Sequence, residues 1–405
     1  LRVRFSIENS GLARTGDLFE IEYADRGSLS SCEAVDTNDF VAVPNNASCG
    51  SSPICMATSS NFVNGAATTD LLFDTEGTFS AGEAVEDPSN QTGALDTGQN
   101  QYTEVEYAVV PTVNATSSAY CLRVTDNGAT FDTYVNVAEL PLSFAPTISA
   151  ASLNNGFDIF TSIGTTTTVF ATATVNDLNG VADLGPATTT VYRSGVGETC
   201  TPDDNNCYRA TSTSGCQYTA CVGTSCTLSC SFDIAFHADP TDSGTFSGQT
   251  WRAFFEVADD TGATTSAQAP SVDLMTMRAL AVTNDIAYGT VGPESDTGTF
   301  NPTTTITNLG NEAFDVDVSG TDMTDGAASV IPANEQVFAT SSFEYSACTF
   351  CATLTNVGTV IELDLGKPTT SDPLLSDELY WGIAIPFGVA GAPHTGTNNF
   401  MAVPD

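Results

Sequence analysis

Leu1-Arg2-Val3-Arg4-Phe5-Ser6-Ile7-Glu8 alternates apolar and polar side chains without a break. A period of two places Leu1, Val3, Phe5 and Ile7 on one face of a strand, which has to be buried somewhere. The same grammar recurs along the chain. Short runs rich in Val, Ile, Thr, Phe and Tyr alternate with Gly, Asn, Asp and Ser, while apolar residues at helical spacing are nearly absent. In the first third the pattern predicts strands at Phe19 to Tyr23, Thr103 to Val110, Tyr120 to Val124 and Thr133 to Val137. The phrase Pro141-Leu-Ser-Phe-Ala-Pro146 reads as an extended linker, because two prolines exclude a central strand. A second set covers Thr168 to Val175, Thr188 to Arg193, Cys226 to His237 and Gln249 to Ala258. A third covers Thr303 to Thr307, Ala313 to Val318, Val360 to Leu365 and Leu379 to Ile385. The class is all-β, and the arrangement is three consecutive immunoglobulin-like sandwiches over 1–146, 147–275 and 276–405. A length of 405 residues fits three domains of roughly 100–150 residues each.

Composition narrows the function. Lys+Arg is 10 against Asp+Glu 49, a formal charge of -39, and Lys367 is the only lysine. Neutralising phosphates takes basic residues, so nucleic-acid binding and adhesion to an anionic membrane surface are both disfavoured. No apolar run approaches the ~18 residues of a spanning helix. The sequence opens at Leu1 without an initiator Met or a basic leader region, which reads as a mature chain after signal-peptide removal. The 12 cysteines fall as four, six and two into the three proposed domains, as independent disulfide sets in an oxidising, extracellular setting would. Cys49 with Cys55, Cys200 with Cys207 and Cys348 with Cys351 are the natural local pairs, leaving Cys32 with Cys121 as a long-range pair. Cys216, Cys221, Cys226 and Cys230 allow three connectivities, and the sequence does not choose among them. Isopeptide crosslinks need a lysine. With Lys367 alone, at most one domain could hold such a bond, so disulfides are expected to carry the covalent reinforcement.

Tyr120-Cys-Leu-Arg-Val-Thr-Asp, Asn176-Asp-Leu-Asn-Gly-Val-Ala-Asp183, Tyr380-Trp-Gly-Ile-Ala-Ile-Pro386 and Thr305-Ile-Thr-Asn-Leu-Gly-Asn311 carry a resemblance. They resemble phrases of tandem immunoglobulin-like cell-surface proteins from small-genome uncultivated bacteria. The resemblance implies a secreted, immunoglobulin-like architecture with a surface role, and it supplies no activity.

Candidate chemistry is sparse. Asp-Thr-Gly occurs at Asp96, Asp260 and Asp296, but each triplet lies in a turn-like context rather than between the apolar strands of an aspartic-protease dyad. His237 and His394 are the two histidines, and no nucleophile elbow accompanies either. The chain is read as a non-enzyme. Calcium is the candidate cofactor, with Asp177, Asn179 and Asp183 as oxygen ligands around a Gly turn, and Asp203-Asp204-Asn205-Asn206 as a weaker second loop. Asn46, Asn90 and Asn114 fit the glycosylation sequon, in a chain rich enough in Asn, Thr and Ser for chance matches. The expected function is that of a structural subunit of an extracellular homopolymer, a filament or S-layer, whose partners are copies of itself. The alternative is an adhesin or carbohydrate-binding stalk with a glycan or cell-surface ligand. The strand Leu1 to Glu8 either completes its own domain or, like Asn399 to Val403, adds to a sheet in a neighbouring copy.

Overall fold

A side chain that alternates in and out needs a second layer to cover its apolar face, and the chain supplies that layer with more strands. The computed structural model describes residues 1–72, 77–116 and 119–405. The architecture is all-β and immunoglobulin-like, its helical content confined to single 3₁₀ turns among the described residues. Two compact units form: 1–146 together with 177–183, and 147–176 together with 184–405.

In the first unit Gln101–Pro111 is the central strand. Arg2–Asn9 and Ile54–Met56 pair with it antiparallel, Thr78–Ser80 and Glu83–Val85 parallel. The facing sheet runs Ala138–Pro141, Ala119–Asp126, Phe19–Asp25, Val41–Ala42. Val3, Phe5 and Ile7 do pack inward, against a core containing Ile21, Val105, Tyr107 and Leu122, while Leu1 stays 60% exposed. The N-terminal strand therefore takes the edge of its own unit's sheet in the single chain. Its polar face is equally committed. Arg4 meets the buried carboxylates Glu104 (2.7 Å) and Glu106, and Arg2 meets Glu106 at 2.9 Å. Glu104 also accepts the backbone N–H groups of Leu71 and Leu72.

Thr133 to Val137 does not form the expected strand. Val135 is 85% exposed, whereas Tyr134 bonds Val124 O and Val137 packs on the Cys32 and Phe40 cluster, so the inward side chains are three apart rather than two, and pairing begins only at Ala138. Pro141 ends this strand at a sheet edge, where a missing N–H costs nothing.

The second unit contains two cores. Around the first, Thr147–Leu153, Thr167–Asn176, Ser225–Ile234 and Cys216–Val222 form one sheet in that order. Cys207–Thr211, Leu184–Arg193, Trp251–Asp259 and Thr264–Gln268 form the other. Lettered A, B, C, C′, D, E, F, G in chain order, the sheets run A-B-E-D and C′-C-F-G, an immunoglobulin topology. Around the second core, Leu280–Thr283, Thr303–Asn308, Ser376–Ile383, Gln336–Ala339 and Ala352–Thr353 make a five-stranded sheet. It is joined by a three-stranded sheet of Thr359–Leu365, Phe314–Gly320 and Asn398–Pro404, whose edge is the C-terminal strand. Trp381, Phe338 and Phe314 fill that core.

Where the chain passes from one core to the next, the fully buried Asn311 straps it. Its carboxamide accepts from Met277 N–H at 2.6 Å and donates to Met275 O at 3.0 Å. A Cβ on Gly310 would collide with the Met277 carbonyl, so only glycine admits this approach.

The cysteines pair as Cys32–Cys121, Cys49–Cys55, Cys200–Cys207, Cys216–Cys230, Cys221–Cys226 and Cys348–Cys351. The strand register resolves the ambiguous four, because Cys216 stands directly opposite Cys230 in the ladder. Loop length ranks the bridges. Cys32–Cys121 encloses 89 positions and Cys348–Cys351 three. The chain-entropy model gives about 4–5 kcal/mol for the first and about 1.5 kcal/mol for the second. Replacing both cysteines of each pair by serine and measuring denaturant midpoints should reproduce that order. Equal losses would show that strain or residual unfolded structure, not loop closure, sets the stabilisation.

Candidate functional site

The residues singled out for chemistry are mostly spent on backbone. Asp96 Oδ1 accepts Gly16 N–H (2.9 Å), and Asp296 Oδ1 accepts Gly298 N–H (2.7 Å). The third Asp-Thr-Gly lies in the hairpin turn capped by Asp259, whose Oδ1 accepts from Thr261 and Ala263. The three triplets thus sit in separate places of the fold. His394 bonds Ala392 O in its own loop and Ser329 Oγ just before Val330–Ile331. In the 177–183 turn, Asp177 Oδ1 accepts Asn179 N–H at 2.8 Å. Asn179 itself reaches the 142–144 linker, donating to Leu142 O and accepting from Phe144 N–H at 2.9 Å. The side chain that a calcium loop would use is thereby committed to linker backbone. Among the described residues, three carboxylates close enough for one cation occur elsewhere, at Asp315, Glu362 and Asp364. Asp315 Oδ1 already accepts Leu363 and Asp364 N–H there. Its charge is the main reason the exposed Glu362 carboxyl lies above its ordinary range. The sequon Asn90 donates its amide to Glu20 and Val43 O.

A constellation that composition alone does not disclose surrounds Asp239, in the loop after Ser225–Ile234. Asp239 is 5% exposed and binds two cations: Arg193 Nε at 3.0 Å and Lys367 Nζ at 3.1 Å. Its main chain is fixed from both sides, since its N–H donates to Asn205 O at 2.8 Å and its carbonyl accepts the Trp251 indole N–H at 2.9 Å. The Arg193 guanidinium stacks over Phe246, 3.9 Å from the ring centre.

Lys367 Nζ also donates to Asn205 Oδ1 at 3.1 Å, and the same oxygen lies 3.3 Å from His237 Nδ1. Asn205 Nδ2 donates to Thr369 O at 3.0 Å. His237 is 1% exposed; burial, then the charge of Lys367, lowers its pKa. Burial likewise lowers the Lys367 pKa, with Asp239 acting against it. A cavity of about 300 Å³ opens beside the group, lined by Asp204, Phe236, His237 and Ser371 among others.

Three of the pieces lie in features already singled out: Asn205 in a candidate calcium loop, His237 at a strand end, Lys367 as the lone lysine. What would have united them is the exceptional lysine. Asp239 carries no signal of its own in the sequence, being one acid among 49.

No protein-family model matches the chain, and no curated protein is similar to it at a meaningful level. Solved structures with some likeness include titin A168–A169, at 11% identity and a TM-score of 0.22, covering 58% of this chain and 97% of that one. The major pilin subunit of Bacillus cereus matches at 8% identity and a TM-score of 0.23, over 100% of this chain and 96% of that one. A marsupial T cell receptor matches at 10% identity and a TM-score of 0.22, over 99% of this chain and 100% of that one. Scores this low carry no argument about function.

The histidine yields a pH test. Its folded pKa lies below the ordinary value of about 6.5, so the unfolded chain binds a proton on acidification that the folded chain does not. Stability is fully present above the unfolded pKa and is lost as pH falls from there through the folded pKa. Melting temperature should drop between about pH 7 and about pH 5, and His237→Gln should flatten that drop. An unchanged slope in the variant would remove His237 from the acid response. A second expectation concerns the shared carboxylate. Asp239→Asn leaves Arg193 and Lys367 close together without their anion, and unfolding experiments should show a loss of about 3–5 kcal/mol. A loss under about 1 kcal/mol would mean the group behaves as an exposed pair.

Proposed function

We propose that the chain is a non-catalytic structural subunit of an extracellular or cell-surface assembly built from copies of itself. We read it as three sandwiches over 1–146, 147–275 and 276–405. Six disulfides support an oxidising compartment. No helix among the described residues is long and apolar enough to cross a membrane.

The observation that carries the polymer reading is a pair of edge strands. Arg2–Asn9 borders one sheet of the first unit and Asn398–Pro404 one sheet of the second. Among the described residues, each leaves one row of backbone groups without a ladder partner, the kind of edge that strand addition uses. Joining the first edge of one copy to the last edge of the next is a heterologous contact, which grows a filament when its rotation does not close. Ion pairing between copies is a poor rival, since the cations are already engaged within the chain. The alternative adhesin reading draws on Phe157, Phe160 and Ile163, which are 72%, 69% and 63% exposed in one loop.

Negative-stain imaging of the purified chain should show regular polymers. Asn399→Lys with Met401→Lys charges the exposed side of the last strand and should leave folded, disulfide-bonded monomers. Wild-type chain that stays monomeric at all concentrations would overturn the polymer reading. A double variant that polymerises normally would move the joint off this edge.

A further inference from the structure

The lone lysine stands among the groups an amide-forming reaction requires. Its Nζ is 3.1 Å from the Asn205 carboxamide oxygen. The carbon of that carboxamide lies one C=O bond, about 1.2 Å, beyond the oxygen. Nζ is therefore at most about 4.3 Å from the carbon it would attack, close to the ~3–3.5 Å of a near-attack arrangement. On the other side of Nζ, the Asp239 carboxylate is 3.1 Å away. The His237 ring nitrogen points at the oxygen on which negative charge would develop. A backbone bond from Asp239 N–H to Asn205 O and a side-chain bond from Asn205 Nδ2 to Thr369 O hold the geometry before any chemistry.

We propose that Lys367 and Asn205 form an intramolecular amide with loss of ammonia, Asp239 moving the protons and His237 holding the oxyanion. Asp239 first takes a proton from the Lys367 ammonium. The free amine attacks Cγ of Asn205, the Nζ–Cγ bond forms, and the carbonyl electron pair moves onto Oδ1. With its proton on Nδ1, His237 donates to that oxygen. Asp239 then returns its proton to Nδ2. The carbonyl re-forms, the Cγ–Nδ2 bond breaks and ammonia departs towards the adjoining cavity. Asp239 finally removes the extra proton from the new amide nitrogen and passes it to the ammonia. The products are one amide and one ammonium ion, and no atom is oxidised or reduced. Burial assists the first step, because it lowers the Lys367 pKa and so lowers the cost of the free amine. Arg193 Nε, 3.0 Å from the other carboxylate oxygen, holds Asp239 in place beside the amine.

The bond would tie the 147–275 segment to the 276–405 segment across 162 positions. It does not depend on whether copies of the chain polymerise.

Mass spectrometry of the reduced full chain tests it. The folded protein should be lighter than its sequence by one ammonia, and digestion should release a branched peptide joining Lys367 to Asn205. Cyclisation at an asparagine also expels ammonia, so the branched peptide decides. Lys367→Arg keeps the charge beside Asp239 but cannot form the bond; it should fold, recover the full mass and yield linear peptides only. Asn205→Ala should do the same by removing the electrophile. In denaturing gels the reduced wild type should migrate faster than both, as a chain closed by a long loop does. Linear Lys367 and Asn205 peptides from folded wild type, after prolonged incubation at neutral and mildly alkaline pH, would overturn the proposal. So would a branched peptide that persists in Lys367→Arg, by assigning the crosslink to another residue.

Discussion

Buried carboxylates that need cations organise much of this chain. Taking an ionised acid out of water costs several kcal/mol unless a cation and hydrogen bonds replace the water. Glu22, Glu104, Glu106 and Asp239 are all buried, and each is met by an arginine or the lysine. With 10 bases against 49 acids, little is left over. Arg14, Arg26 and Arg278 are in ion pairs as well. Arg209 and Arg252 donate to Cys200 O and to Gln268. The surface therefore keeps its negative charge.

Strands were legible wherever a run of alternating residues met a core. Leu1 to Glu8 is such a run, and its polar side chains Arg2 and Arg4 proved as structural as its apolar ones. The failures have separate causes. Thr133 to Val137 has the right letters but turns Tyr134 and Val137 inward, three apart, while Thr147–Leu153 is a strand whose Ser and Ala residues give alternation little contrast. The disulfide set was readable where cysteines sit close in sequence. Cys216 and Cys230 needed the ladder register, which follows from neighbouring strands rather than from spacing.

The Asp239 cluster marks the limit of reading along the chain. Its members come from the loop before Cys207–Thr211, from the end of Ser225–Ile234, from Leu184–Arg193 and from the loop after Thr359–Leu365. No spacing rule connects Asn205 with Lys367; only the packing within the second compact unit does. The Thr305 to Asn311 phrase entered only through its resemblance to immunoglobulin-like surface proteins. Its work at the junction became visible once Asn311 was seen bonded to Met275 and Met277.

The placement of the bridges has a mechanical side. A fully extended residue spans about 3.3–3.6 Å, so a pulled chain of this length would reach roughly 1,400 Å. Any segment enclosed by a covalent loop cannot contribute. Cys32–Cys121, enclosing 89 positions, withholds roughly 300 Å of that reach, whereas bridges spanning three to seven positions withhold almost none. An amide between Lys367 and Asn205, 162 positions apart, would withhold roughly 550 Å more. With both in place, more than half of the contour length would be exempt from extension. Under load such a molecule would transmit tension through short, locked segments instead of paying out slack.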